Sequence, residues 1–241
     1  MPGRDQSVNV EIVVRGDLPI TVARPTGEPL GGVVVAQEAF GVNEHITDVA
    51  TRFAKAGYLA AAPHLFYRTG DPTIPYGDRE TVSTHMNQLT GDNVLADVDS
   101  TIAYLGEAGL LPDRVGIVGF CMGGTVAFYT AATRSIGAAV TFYGGGVAEG
   151  RFGMKPMTDY AAELRTPWLG MYGALDQGIP VASVEALKAA ASQAPVPTKV
   201  VLYEGADHGF HCDARPAVFN PEAAQDAWSR TLNWFASHLA S

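Results

Sequence analysis

Cys121 is the residue whose type and setting are best suited to chemistry. It is the centre of segment 119–123, which reads GFCMG. The run 115–119 predicts a strand before it, and the Ala-rich stretch 123–133 predicts a helix after it. This arrangement is the G-x-S-x-G nucleophile elbow with Cys in place of Ser. A thiol there stands at a helix N-terminus, where the dipole favours a thiolate. The alternative is an inert buried cysteine, but the flanking strand and helix favour the elbow.

A nucleophile of this kind needs a base and an orienting acid, which follow it in the chain as acid and then His. Asp176 comes directly after the predicted strand 167–173, and His208 comes soon after the predicted strand 198–203. Loops at the carboxyl ends of parallel strands are where open α/β sheets place their chemistry. Taken singly, Asp176 is typical of a turn and His208 of a loop. Their order and positions together predict a Cys-His-Asp triad.

The remaining histidines lack such a setting. His45 lies near the start of a predicted helix, where we expect it to be exposed, and His64, His85 and His238 are scattered along the chain. No HxH or HExxH pair occurs, and Cys212 is the only other thiol. This pattern does not suggest a metal site, and we expect neither a metal nor an organic cofactor.

The elements that must position these residues alternate between strand and helix. One stretch, 63–91, is irregular except for a possible helix at 79–89, and a long segment of this kind is often functional. The order predicts a single α/β domain over residues 1–241, with a mostly parallel sheet of about eight strands covered by helices on both faces. The predicted strands are 8–14, 18–23, 32–37, 58–62, 115–119, 138–143, 167–173 and 198–203; the other predicted helices are 43–56, 93–105, 123–133, 181–193 and 221–239.

The composition of the chain indicates which classes of binding partner to expect. The chain has 241 residues, 47% of them hydrophobic, and 16 basic against 25 acidic residues give a net charge of −9. An acidic protein repels nucleic acid and anionic lipid, so we expect neither as a partner. No leader-like or membrane-spanning stretch is visible, and two cysteines are too few for a disulfide scaffold. We therefore expect a cytoplasmic monomer or small homo-oligomer that acts on a small molecule.

Five motifs along nearly the whole chain resemble the dienelactone hydrolase family, whose members have the α/β-hydrolase fold. The strongest are QEAFGVN at 37–43 and GFCMGG at 119–124. FYG at 142–144, DQGIP at 176–180 and HGF at 208–210 complete the set. The resemblance implies a cysteine hydrolase that opens a lactone or enol ester through a thioester, as when dienelactone becomes maleylacetate in chloroaromatic degradation.

The resemblance also implies roles for individual residues. Cys121 would be the nucleophile, His208 the base and Asp176 its orienter. Glu38 matches a family glutamate that helps to deprotonate the thiol, although by itself it would suggest an exposed loop residue. The backbone N–H groups of Ala39 and Met122 would hold the oxyanion.

One departure concerns substrate recognition. The family arginine that grips a substrate carboxylate lies four residues after the histidine, where this chain has Cys212. We expect Arg79, and next Arg68, to supply the cation from segment 63–91; Arg215 is a further candidate. Tyr143 is also expected to contact substrate. Each arginine has the alternative of a solvated surface position.

Two other functions stay open from the sequence alone. A broader carboxylesterase or thioesterase would use the same triad on simpler esters. A non-catalytic binding module that retains the elbow is disfavoured, because nucleophile, base, acid and Glu38 are all present.

Overall fold

The computed structural model describes residues 8–240, which form an eight-stranded sheet covered by helices. The strands are β1 Asn9–Arg15, β2 Leu18–Arg24, β3 Gly32–Ala36, β4 Leu59–Pro63, β5 Val115–Phe120, β6 Ala138–Phe142, β7 Trp168–Gly173 and β8 Thr198–Tyr203. They lie in the order β1-β2-β4-β3-β5-β6-β7-β8. The first two are antiparallel to their neighbours, and the other six run parallel to one another.

The central strands are short runs of β-branched and small residues, and every residue of β3, β4, β5 and β6 is buried. Such continuous apolar runs are typical of parallel strands covered on both faces. Ala36 pairs with Gly119, and Phe120 pairs with Phe142. This register brings the carboxyl ends of β3, β5 and β6 to one edge, where the loops that follow them meet.

Two helical layers cover the sheet. The helices are α1 Glu44–Lys55, α2 Arg79–Met86, α3 Gly91–Glu107, α4 Met122–Thr133, α5 Met157–Tyr160, α6 Val181–Ala191 and α7 Pro221–His238. Helices α3, α4 and α6 contribute to the hydrophobic core on one face, and α1 and α7 to the core on the other. No helix within residues 8–240 is long and apolar enough to cross a membrane.

The fold class expected from the sequence is confirmed. Helix α3 begins at Gly91, two residues before the predicted start, because the Thr90 side chain caps it by accepting from the Asn93 amide. The short helix α5 was not predicted, since four residues give no periodic pattern. In the irregular segment, the Ile74 amide donates to the Phe40 carbonyl at 3.0 Å. Part of that segment therefore packs on the loop that follows β3.

Candidate active site

Cys121 occupies a strained turn between β5 and α4. Its backbone φ is 53° and ψ is −115°, a conformation that L residues rarely adopt. The glycines on either side make the turn possible. A Cβ on Gly119 would lie 1.8 Å from the Gly123 carbonyl oxygen, and a Cβ on Gly123 would lie 2.2 Å from the Ala36 carbonyl oxygen. The turn leaves the Cys121 side chain partly exposed at the N-terminus of α4.

His208 and Asp176 form a hydrogen-bonded pair at the same edge of the sheet. Nδ1 of His208 donates to Oδ2 of Asp176 at 2.7 Å, and the other carboxylate oxygen accepts from the Gly178 amide at 2.8 Å. Asp176 is buried, so its position is fixed, and it orients the imidazole with Nε2 as the free ring nitrogen.

Burial tends to lower the pKa of His208, but interactions with the Cys121 sulfur and with Asp176 outweigh it and raise this pKa well above its usual value. The imidazole therefore interacts with the two other members of the expected triad. This arrangement places a base next to the sulfur, and the thiolate is the form of cysteine that attacks carbonyl carbon.

Glu38 lies in the loop after β3 and is fully buried, unlike an ordinary loop glutamate. The Tyr143 hydroxyl donates to its Oε1 at 3.3 Å. The pKa of Tyr143 is well above its usual value, first because the hydroxyl is buried and then because Glu38, Cys212 and Cys121 are close. Tyr143 is thus in a cluster with the expected nucleophile and the expected proton acceptor, and its ring lies 5.1 Å from that of His208.

The two residues expected to donate hydrogen bonds to the oxyanion directly follow Cys121 and Glu38 in the chain. Met122 is the first residue of α4, and Ala39 directly follows Glu38. Both residues are buried. Their role stays a prediction, as do the catalytic roles of the other four residues.

The expectation that His45 is exposed was wrong. Its side chain is only 1% exposed, and Nδ1 lies 3.2 Å from Oδ1 of Asp213. His45 belongs to the same helical face as the apolar residues of α1, and its ring packs against Phe120 and His211. The helical spacing of that apolar stripe was the signal that could have predicted its burial.

Sequence reasoning also missed a contact made by Cys212. Its thiol lies 3.5 Å from the Tyr76 hydroxyl, and burial raises its pKa to about 11. Tyr76 comes from the irregular segment after β4, and no local motif marks its position.

The two arginines expected to bind substrate have different surroundings. Arg68 makes a bidentate ion pair with the buried Asp97, at 2.7 and 2.8 Å. Arg79 is exposed at the start of α2. Their participation in substrate binding stays a prediction.

Arg215 is a third cation, and it lies against the site. Its guanidinium carbon is 5.5 Å from the ring centres of both Phe40 and Tyr76. Its charge acts to lower the pKa of Cys212, against the larger effect of burial. The aromatic pair therefore holds this cation beside the loop that carries Glu38.

The family model described as the dienelactone hydrolase family matches residues 18–239. The chain belongs to the dienelactone hydrolase family. A protein of Methylorubrum extorquens that is provisionally named a carboxymethylenebutenolidase is 39% identical over 227 residues, 92% of this chain and 78% of that protein. A Yersinia pestis protein with the same provisional name is also 39% identical, over 93% of this chain and 85% of its own length.

A solved structure from Klebsiella pneumoniae, provisionally described as a dienelactone hydrolase, has a TM-score of 0.88 and 38% identity. The match covers 96% of this chain and all of that one. Together with the family match, this likeness identifies the protein as an α/β-hydrolase that acts on ester bonds of small molecules.

Proposed function

We propose that the protein opens a lactone or enol ester through a thioester on Cys121, in a reaction of the dienelactone to maleylacetate type. The observation that carries the proposal is the strained Cys121 beside the hydrogen-bonded His208–Asp176 pair. The provisional carboxymethylenebutenolidase names of the relatives support this substrate class.

In the first half of the proposed reaction, Cys121 passes its proton to Glu38 and the thiolate attacks the lactone carbonyl carbon. The amides of Ala39 and Met122 hold the oxyanion that forms. The ring C–O bond then breaks and the acyl group stays on sulfur as a thioester. The leaving enolate takes the proton from Glu38 and becomes a ketone, so the carboxylate is restored.

In the second half, Nε2 of His208 takes a proton from water, and the resulting hydroxide attacks the thioester carbon. The C–S bond breaks, the acid leaves, and Cys121 recovers the proton from His208. Asp176 keeps the imidazole oriented and balances its charge while it holds that proton.

Intact-mass spectrometry tests this order of events. In His208→Ala, deacylation should slow by at least about 10²-fold, and the protein should gain the mass of the acyl group on Cys121. Cys121→Ala should neither turn over a lactone nor gain that mass. The matched control is His238→Ala, whose histidine donates to the Trp234 carbonyl in α7 and which should turn over normally. Normal turnover by Cys121→Ala would refute the proposal.

For a substrate that carries a carboxylate, we propose Arg215 as the cation that binds it. An anion needs such a partner because the chain carries a net charge of −9. Arg215 is stacked by Phe40 and Tyr76 close to the loop of Glu38 and Ala39, whereas Arg68 is already paired with a carboxylate. A guanidinium also fixes orientation, since it can bind a carboxylate with two hydrogen bonds.

The test compares a carboxylate-bearing lactone with its neutral methyl ester in Arg215→Gln, Arg79→Gln and Arg68→Gln. Loss of the binding cation should weaken transition-state binding of the acid by about 1.5–3 kcal/mol and leave the ester nearly unchanged. We expect this difference in Arg215→Gln only. The same difference in Arg79→Gln instead would assign the role to that residue. Equal rates on both substrates in all three variants, with good turnover of aryl esters, would favour a broader esterase.

A further inference from the structure

Three buried side chains with metal-binding atoms converge beside the proposed nucleophile. Glu38 comes from the loop after β3, His45 from the first turn of α1 and Cys212 from the loop after β8. One ligand atom of each lies within 4.8 Å of the other two. All three residues are at least nine-tenths buried. The fold therefore brings together a carboxylate, an imidazole and a thiol from distant parts of the chain.

Two of these groups carry a buried polar atom that lacks a partner. Neither Oε2 of Glu38 nor Nε2 of His45 makes a hydrogen bond to any residue between 8 and 240. Buried polar atoms are nearly always bonded, because burial without a partner costs about 1–3 kcal/mol each. Two such atoms in one cluster of side chains indicate that something is bound between them or that they share a proton.

The surroundings of His45 favour a metal. Its Nδ1 donates to the Asp213 carboxylate at 3.2 Å, and Asp213 also pairs with Arg52. A histidine that binds a metal through one ring nitrogen usually donates the other to a carboxylate in this way. Because Nδ1 carries the proton, Nε2 has a free lone pair that a metal can accept.

We propose that Oε2 of Glu38, Nε2 of His45 and the thiolate of Cys212 form a site for Zn²⁺. Sulfur, nitrogen and oxygen together suit this cation better than Mg²⁺ or Ca²⁺, which select oxygen alone. Bonds of about 2.0–2.3 Å place tetrahedral ligands roughly 3.3–3.8 Å apart, so the three atoms need to approach by about 1.5 Å at most. Three protein ligands leave the fourth position open. The Cys212 thiol gives its proton to solvent when the metal binds.

A pocket lies next to the three side chains. A pocket of about 310 Å³ is lined by His45 and Tyr76, together with Asn43, Glu44 and Ala214. Tyr76 lies between this pocket and Cys212, since its hydroxyl contacts the thiol. His45 lines this pocket, and Cys121 is not among its lining residues.

The binding test uses Cys121→Ala, freed of metal with a chelator, so that Cys212 is the only thiol left. The probe is Co²⁺, which gives an intense ultraviolet charge-transfer band when a thiolate binds it. We expect one Co²⁺ per chain with that band, and displacement by equimolar Zn²⁺. Adding Cys212→Ala or Cys212→Ser should remove the band, and His45→Gln should weaken binding at least about tenfold. His238→Gln is the matched control and should bind as the parent does.

Circular dichroism and the unfolding midpoint identify any variant that fails to fold, and the paired Ala and Ser substitutions at Cys212 keep the test decisive. A folded Cys121→Ala protein that shows no thiolate band with Co²⁺ would overturn the proposal. So would unchanged binding in His45→Gln. Either result would leave the shared proton between Glu38 and His45 as the explanation of the two unpartnered atoms.

A consequence for activity rests on the proposed function. A metal on Oε2 of Glu38 prevents that carboxylate from taking the thiol proton, so Zn²⁺ should slow ester hydrolysis by the unmodified protein and a chelator should restore it. The binding test does not depend on this step. Binding without inhibition would leave the metal site standing and refute the role of Glu38, whereas no binding would refute the site alone.

Discussion

Gly123 lies where α4 approaches the sheet most closely, and replacing it with alanine tests how the elbow is built. A Cβ there would lie 2.2 Å from the Ala36 carbonyl oxygen and 2.6 Å from that of Gln37. Both are backbone atoms at the end of β3, and β3 is paired on both sides, with β4 and with β5. Neither oxygen can rotate away. The helix must therefore move by about 0.8 Å before the nearer contact reaches 3.0 Å, below which real Cβ contacts are essentially never found.

The magnitude follows from two opposing effects. Overpacking of a rigid site costs about 1–3 kcal/mol, and the upper end applies here because two backbone oxygens are struck. Alanine gains about 1 kcal/mol over glycine in helix propensity. We expect the free energy of unfolding of Gly123→Ala to fall by about 2 kcal/mol, which corresponds to a Tm lower by roughly 4–8 °C in a chain of this size.

The catalytic rate of Gly123→Ala should fall by more than its loss of folding stability would explain. Moving α4 displaces the Cys121 sulfur relative to His208, and a misplacement near 1 Å can cost about 10²-fold in rate. The control is Gly106→Ala, in the last turn of α3, where an added Cβ meets no atom within 4 Å. That variant should be more stable by about 0.5–1 kcal/mol and fully active.

Urea unfolding measures both free energies, with equal m-values as the check that the unfolding transition is unchanged. Initial rates on an aryl ester report the activity. Gly123→Ala as stable and as active as Gly106→Ala would show that α4 has room to move. The close packing would then not be what holds Cys121 in its strained turn.

Three further outcomes are expected. In Cys121→Ala, the pKa of His208 should be lower than in the unmodified protein, because the interaction with sulfur that raises this pKa is lost. NMR of the His208 ring resonances measures the pKa, and an equal titration midpoint in the two proteins would contradict the expectation. Iodoacetamide at pH 8 should label Cys121 alone, since Cys212 is fully buried and its thiol has a pKa of about 11. Mass spectrometry locates the label, and labelled Cys212 in the folded protein would refute its burial. Arg68→Met should lower the unfolding free energy by about 1–3 kcal/mol at pH 7, because it leaves the buried Asp97 carboxylate unpaired. Burial already raises the pKa of Asp97, so part of this loss should return near pH 4 as the carboxyl group is protonated; an equal loss at both pH values would contradict the assignment.

Local sequence signals determined the elements and the order of the candidate triad. Buried parallel strands need continuous apolar runs, and the elbow needs glycines at 119 and 123, so both features are visible in short windows. The chain order of Cys121, Asp176 and His208 followed in the same way, because each residue comes after a recognisable strand. The hydrogen bond between His208 and Asp176 then depends on β7 and β8, which lie side by side in the sheet.

Tertiary structure alone decided what surrounds that triad. His45 and Asp213 are 168 residues apart in the chain, and no periodicity links a helix start to a distant loop. The burial of Glu38, its closeness to Cys212 and the stacking of Arg215 on Phe40 likewise depend on how loops pack together. Loop paths are set by many weak long-range contacts rather than by local propensity. The sequence therefore predicted which residues could react, while the packing of the loops decided which charges and donors lie around them.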